Sequence, residues 1–240
     1  MESLTICYTA PGRFCESFTS RRIQVANTLA TPRVRAVLDR LFAAAERQEA
    51  APPPVPPGFS YTSGSARDRC DVAAAEYMPI SASGGKLLYA LVRASRPETV
   101  VEFGTSYGIS TIHLAAAVAD NGTGHVFATE LSVTKIAAAR ANLQEAGLAN
   151  RVTILEGDAR ETLRDVRGPI GLVLLDGWKD LCLPVLRLLE SRLTAGALVV
   201  VDDTDQAALN DYLAFVRDPA NGYVTVPFPV EDGMEISCHC

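Results

Sequence analysis

The chain has no uninterrupted apolar stretch near the roughly 18 residues that a spanning helix needs, so no membrane span is expected. Glu2, Arg13 and Glu16 punctuate the N-terminus without a long apolar core, so no secretory signal is apparent. Basic charge is in deficit: 22 Lys and Arg against 28 Asp and Glu leave a formal charge of −6. No basic stripe with interleaved aromatics occurs, which argues against a nucleic-acid partner. There is no internal repeat. Histidine is scarce; His113 and His125 have no carboxylate at ligand spacing and are expected on helix and strand surfaces. The six cysteines, Cys7, Cys15, Cys70, Cys182, Cys238 and Cys240, follow no disulfide framework, and a chain this long needs none. They read as reduced thiols in a cytoplasm. Cys238-His239-Cys240 lacks a second ligand pair, so it reads as a frayed end or a last strand.

What is present is an ordinary apolar share, 48%, enough for one sizeable domain or a domain with an appendage. Residues 1–20 show little periodicity. Thr31 can cap a helix, Pro32 fits its first position, and Val34, Val37, Leu38, Leu41 and Phe42 repeat at helical spacing. The pattern fades near Glu49. Pro52-Pro53-Pro54-Val55-Pro56-Pro57-Gly58 follows and can be neither helix nor central strand. Residues 1–60 therefore read as a helical appendage with a proline-rich linker, ahead of a main domain over 61–240. The stripe is expected to cover apolar surface on its own subunit or on a second copy, rather than to act as a lid. A homodimer is expected.

Beyond the linker, strands and helices alternate. Helices are predicted over Ser83–Ser95, Ser110–Ala119, Ser132–Ala146 (stopped by Gly147), Lys179–Arg192 and Ala207–Val216. Strands are predicted over Thr99–Phe103, His125–Thr129, Val152–Leu155, Ile170–Leu175 and Ala197–Val201. Tyr223–Phe228 and Met234–Cys238, with Asp232-Gly233 between them, read as an antiparallel hairpin. This is an α/β chain with a doubly wound, mostly parallel, seven-stranded sheet and a C-terminal hairpin at one edge.

In such a sheet the carboxyl ends of the strands border the ligand crevice. Two apolar runs stop there at acids: Leu174-Leu175-Asp176-Gly177-Trp178-Lys179 and Val200-Val201-Asp202-Asp203. Three carboxylates in a half-buried cleft need a compensating cation. A divalent metal with oxygen ligands, Mg²⁺ or Mn²⁺ with Ca²⁺ as a further candidate, meets that need. Glu102-Phe103-Gly104-Thr105-Ser106-Tyr107-Gly108 marks the first strand–helix turn, where Gly104 allows close approach by a ligand and Gly108 eases helix packing. Glu130 ends the second strand, where a carboxylate can take both hydroxyls of a ribose, and Asp158 follows the third. Ser106 and Ile109 replace the glycines of a dinucleotide fingerprint, which argues against a nicotinamide cofactor. An acid-rich rim suits a cationic cofactor without phosphates, and S-adenosylmethionine fits.

These residues resemble the class I S-adenosylmethionine-dependent methyltransferases, in particular the catechol and caffeoyl-CoA O-methyltransferases, over roughly residues 70–240. Val100–Gly108 resembles the family's first motif, Phe127–Glu130 its ribose-binding strand end, and Val152–Asp158 the strip beside adenine. Leu175-Asp176-Gly177-Trp178-Lys179-Asp180-Leu181-Cys182-Leu183-Pro184 is similar to the family's D-x-W-K-D-x-Y-L-P. Asp211–Arg217 looks like a late helix of the catechol enzymes. The resemblance implies a Rossmann-like fold, with residues 61–240 as the S-adenosylmethionine-binding catalytic domain. It implies Asp176, Asp202 and Asp203 as metal ligands, and Lys179 as general base beside Asp176. It implies Met78 and the backbone of Glu102–Tyr107 against the methionine portion, with Ser110 at its carboxylate end. Glu130 would hold the ribose. Gly157, Asp158 and Ala159 would flank the adenine, and Trp178 would pack on it. Two positions depart from the pattern. Cys182 stands for a tyrosine, and Asp203 for the metal-ligating Asn, adding a negative charge that a hard cation accepts readily. The groups that grip a catechol in the mammalian-type enzymes have no evident counterparts.

The chemistry expected is methyl transfer to a hydroxyl of a small molecule with vicinal oxygens. A phenol with a pKa near 10 needs activation at neutral pH, which a chelated metal supplies. Lys179 could take the proton if the metal depressed its own pKa. The alternatives are a metal-independent methyltransferase of the same fold, acting on N, C or an isolated hydroxyl, and a non-catalytic S-adenosylmethionine-binding protein.

Overall fold

A computed structural model describes residues 27–230 and 232–240. Cys7, Cys15 and the aperiodic first stretch lie outside the described residues. Helix α1 (Pro32–Ala50) starts as its sequence dictates, with the Thr31 hydroxyl accepting from the Val34 amide and proline at the first position. Its face of Val34, Val37, Leu38, Leu41 and Ala45 is buried. The cover is this chain's own core, with Leu88, Ile112, Leu114 and Leu143 in the same cluster. The Arg33 side chain donates to the Gln144 and Glu145 carbonyls, satisfying orphan groups at a helix end. Residues 52–58 form no helix or strand.

A short helix α2 (Ala66–Val72) follows, opened by a capping box between Ser65 and Asp68. Then α3 (Ala82–Ser95) leads into alternation: β1 (Thr99–Phe103), α4 (Ile109–Asn121), β2 (His125–Glu130), α5 (Val133–Ala146), β3 (Val152–Glu156), α6 (Ala159–Thr162), β4 (Ile170–Leu175), α7 (Cys182–Leu189), β5 (Leu193–Asp202), α8 (Asn210–Arg217), β6 (Tyr223–Phe228) and β7 (Met234–His239). Ser132 caps α5 and Gly147, at φ +76°, ends it. The strand order is β3-β2-β1-β4-β5-β7-β6. The first five are parallel, and β7 pairs antiparallel with both β5 and β6. Strand residues alternate between two cores. Val100, Leu172, Leu174 and Val200 pack on the α1, α3 and α4 side. Val101, Val173, Leu175, Val199 and Val201 pack on the α7 and α8 side.

The structure departs from the sequence reading in three places. The helix expected over 179–192 is a 3-10 turn at Lys179–Leu181, then α7, then a second such turn. Pro184 lacks the amide that would bind the Asp180 carbonyl, so the α-helix cannot extend back to Lys179. Strand β5 begins at Leu193, four residues earlier than its apolar run. His113 is not on a surface: it is 3% exposed, on a helix buried from Ile109 to Val118. A side chain at Gly85 would come within 2.6 Å of its ring, so that glycine makes room for the imidazole. No helix among the described residues is long and apolar enough to cross a membrane.

Candidate active site

A cleft of about 590 Å³ opens where β1, β2, β4 and β5 end. Its rear wall is the turn after β1. Gly104 takes φ +98°, and a side chain there would lie 2.5 Å from the Asp176 carbonyl oxygen, so only glycine lets this turn pass the end of β4. The Asp176 amide donates to the Phe103 carbonyl, and the Thr105 amide and hydroxyl both donate to the Thr129 carbonyl. Ser106, at φ +47°, donates through its amide to Glu130 and through its hydroxyl to the Tyr77 carbonyl, each at 2.8 Å.

Glu130 is a knot. One carboxylate oxygen accepts from the Leu131 and Ser132 amides and the other from Ser106. The Cys70 thiol lies 3.7 Å from it, and burial, ahead of the Glu130 charge, pushes that thiol up to about 12. Glu130 also lines the cleft, where its remaining lone pair can meet a ligand hydroxyl. Asp158 caps α6 through the Arg160 amide and pairs with the Arg160 guanidinium, which holds its pKa below the usual value. Gly157 and Ala159 line the cleft beside it.

Met78, Gly104, Ser106, Tyr107, Ser110, Glu130, Asp176, Trp178, Lys179, Asp202 and Asp203 all face this one cavity, so most expected positions converge. Glu102 and Gly108 are not among the residues lining it. Glu102 is buried beneath the turn, accepts from the Thr111 hydroxyl at 2.6 Å, and is pushed by burial up to about 8. It sits one residue too early on β1, so its side chain points into the sheet packing rather than off its end. Gly108, at φ +88°, packs its α-carbon face against Ala139.

The acids at the ends of β4 and β5 are arranged around an ammonium. Lys179 Nζ lies 2.9 Å from Asp176 and 3.0 Å from Asp203. Burial pulls the lysine pKa down, but the Asp176 and Asp203 charges outweigh it and hold it above the ordinary value. The expected depression of Lys179 is conditional on a bound metal, which would have to offset these two carboxylate charges. Asp176 is raised chiefly by burial, and Asp202 is pushed up to about 8 by burial and then by its two neighbours. Asp203 takes φ +58°, a left-handed conformation that Asp and Asn tolerate best. Among the described residues, no group of three His, Cys, Asp or Glu is gathered at metal-holding geometry. The donor chemistry fits a hard cation, while Lys179 occupies the space between two of the donors.

Sequence reasoning missed the cleft's front wall. Arg69 on α2 is buried, grips Asp180 through both guanidinium nitrogens at 2.8 and 3.0 Å, and lies 4.8 Å from the Trp178 ring centroid. Tyr61 stacks on the Trp178 ring with centroids 6.4 Å apart. Lys135 of α5 also lines the cleft. The Ser65-x-x-Asp68 capping signature was the available signal for α2. Cys182 is buried outside the cleft lining, its thiol 3.9 Å from the Trp178 carbonyl.

Residues 101–204 match the methyltransferase domain family. The chain is 35% identical over 134 residues to a catechol O-methyltransferase of Mycobacterium tuberculosis, covering 55% of this chain and 60% of that protein. It is 26% identical over 156 residues to caffeoyl-CoA O-methyltransferase 1 of Zea mays, covering 59% and 60%. These matches thus span less than two thirds of either relative's length. A cofactor-bound crystal structure from MTB superposes with a TM-score of 0.63 at 27% identity, covering 87% of this chain and 97% of the other. Over residues 101–204 the chain is similar to a methyltransferase domain, and the relatives it matches over part of their length include catechol and caffeoyl-CoA O-methyltransferases.

Proposed function

We propose that the protein is an S-adenosylmethionine-dependent O-methyltransferase acting, with help from a divalent cation, on a hydroxyl of a small molecule with vicinal oxygens. One observation carries this reading. Glu130, the Gly157–Ala159 strip, Trp178 and the Asp176–Lys179–Asp203 cluster open onto a single cavity. S-adenosylmethionine bound there supplies an electrophilic methyl group. The acid-rich rim suits its positive sulfur, and Glu130 retains acceptor capacity for a ribose hydroxyl. Arg69 and Tyr61 hold the Trp178 ring as a flat apolar wall.

At the acceptor end, Asp176, Asp202 and Asp203 are the residues that would hold the cation. A bound divalent ion lowers the pKa of the hydroxyl it touches. Lys179 holds its proton on Nζ between two carboxylates; it could receive the acceptor's proton only after first releasing that one to solvent, which a cation neutralising those carboxylates would favour. The same ion pair favours a second reading, a metal-independent transferase in which the ammonium itself orients the acceptor oxygen. Calorimetry with S-adenosylhomocysteine, followed by methyl transfer to catechols and hydroxycinnamates, tests the proposal. A folded protein that binds no S-adenosylhomocysteine sinks it.

A further inference from the structure

Three basic side chains line the cleft: Arg69, Lys135 and Lys179. Two are matched by acids, Arg69 by Asp180 and Lys179 by Asp176 and Asp203. Lys135 differs. It is 5% exposed, and its ammonium makes no ion pair among the described residues. Its one polar contact is the Met78 thioether at 3.8 Å, a weak acceptor, and its charge sits 5.9 Å from the Tyr107 ring centroid. The strongest charge acting on it, Glu130, accepts from three backbone amides and makes no hydrogen bond to the ammonium. Burial accordingly draws the Lys135 pKa down, with Glu130 opposing. A buried ammonium without a hydrogen-bonded anion is costly. It is tolerable where a ligand brings the anion.

We infer that Lys135 is the cleft's anion-recognising group and pairs with a carboxylate of the bound ligand. The inference rests on the methyltransferase reading. Two ligands could present that carboxylate: the amino-acid end of the cofactor, or an acidic acceptor such as a dihydroxybenzoate. The Met78 sulfur lies 3.8 Å from the ammonium, and both residues line the cavity.

The test compares Lys135→Met, which removes the charge and keeps the stem, with Lys135→Arg, which keeps the charge. Lys135→Gln replaces the methionine variant if that one does not fold. Calorimetry with S-adenosylhomocysteine and with 5′-methylthioadenosine, which lacks the amino-acid end, reads the cofactor arm. The ratio of KM values for 3,4-dihydroxybenzoate and catechol reads the acceptor arm. A charged hydrogen bond predicts that one ratio collapses by about tenfold or more in Lys135→Met and recovers in Lys135→Arg. The ratio that moves names the source. Both ratios unchanged, or uniform weakening of all four ligands, would mark a packing lysine and overturn the inference. A wild-type protein that binds no S-adenosylhomocysteine would instead remove the reading beneath it.

Discussion

The Glu130 carboxylate ties the β1 turn to the start of α5 through three amides while facing the cleft. Glu130→Ala should therefore weaken S-adenosylhomocysteine binding by about 2–3 kcal/mol and also lower the melting temperature, since three amides lose their acceptor. Calorimetry on a folded mutant with unchanged affinity would refute the ribose assignment. Glu102 offers a test independent of any ligand. Its pKa in the folded chain is pushed up to about 8 by burial, against an ordinary value of 4.5. Folding thus takes up a proton between those values, so the stability this residue contributes is complete below the ordinary value and is lost as pH rises through about 8. Melting temperature should fall over that range in the wild type. Glu102→Gln, which keeps an acceptor for Thr111, should flatten the slope; an identical profile in the mutant would show that another group carries it.

At the scale of elements, α1 is a structural part of the main core. Its stripe is covered within the chain, so it gives no reason of its own for a dimer. Leu41 is 1% exposed, and Leu41→Ala should destabilise by about 2–4 kcal/mol, read as a denaturant midpoint that does not change with protein concentration. A concentration-dependent shift would place the stripe at an interface after all. Gln48, near the end of the same helix, donates to the Ala75 carbonyl and accepts from the Tyr77 amide, linking α1 to the strip that carries Met78. The long elements were legible because period and punctuation coincide: Thr31-Pro32 opens α1, Ser132 opens α5 and Gly147 closes it. The short α2 and α6 were not, since seven and four residues cannot display a helical period. The helix after Lys179 is split because Pro184 cannot donate to the Asp180 carbonyl, a break the apolar period alone does not reveal.

For the whole molecule, the strand-end rule places Asp176, Asp202, Glu130 and Asp158 on one cleft from sequence, because topology alone brings those ends together. It could not supply the side-chain directions that put Glu102 beneath the floor, nor the long-range contact of Arg69 with Asp180. Nor could it anticipate that an ammonium would stand between two of the three aspartates. That arrangement sharpens the metal question. Asp176, Asp202 and Asp203 carry three formal charges against the single charge of Lys179, and burial raises the pKa of both Asp176 and Asp202. A divalent cation that binds this cluster in the folded state should raise the melting temperature, and a chelator should abolish turnover that Mg²⁺ or Mn²⁺ restores. Asp203→Asn should retain substantial activity, because an amide oxygen is still a hard ligand and Asn tolerates the left-handed backbone there. Asp202→Ala should lose most activity while leaving S-adenosylhomocysteine affinity nearly intact if, as proposed, its carboxylate serves the acceptor end. Full turnover in exhaustive chelator, with no metal-dependent shift in melting, would assign the cation's role to Lys179. In that case Asp203→Asn, which removes one of the two carboxylates holding the ammonium, should alter the pH dependence of kcat more than any metal treatment does.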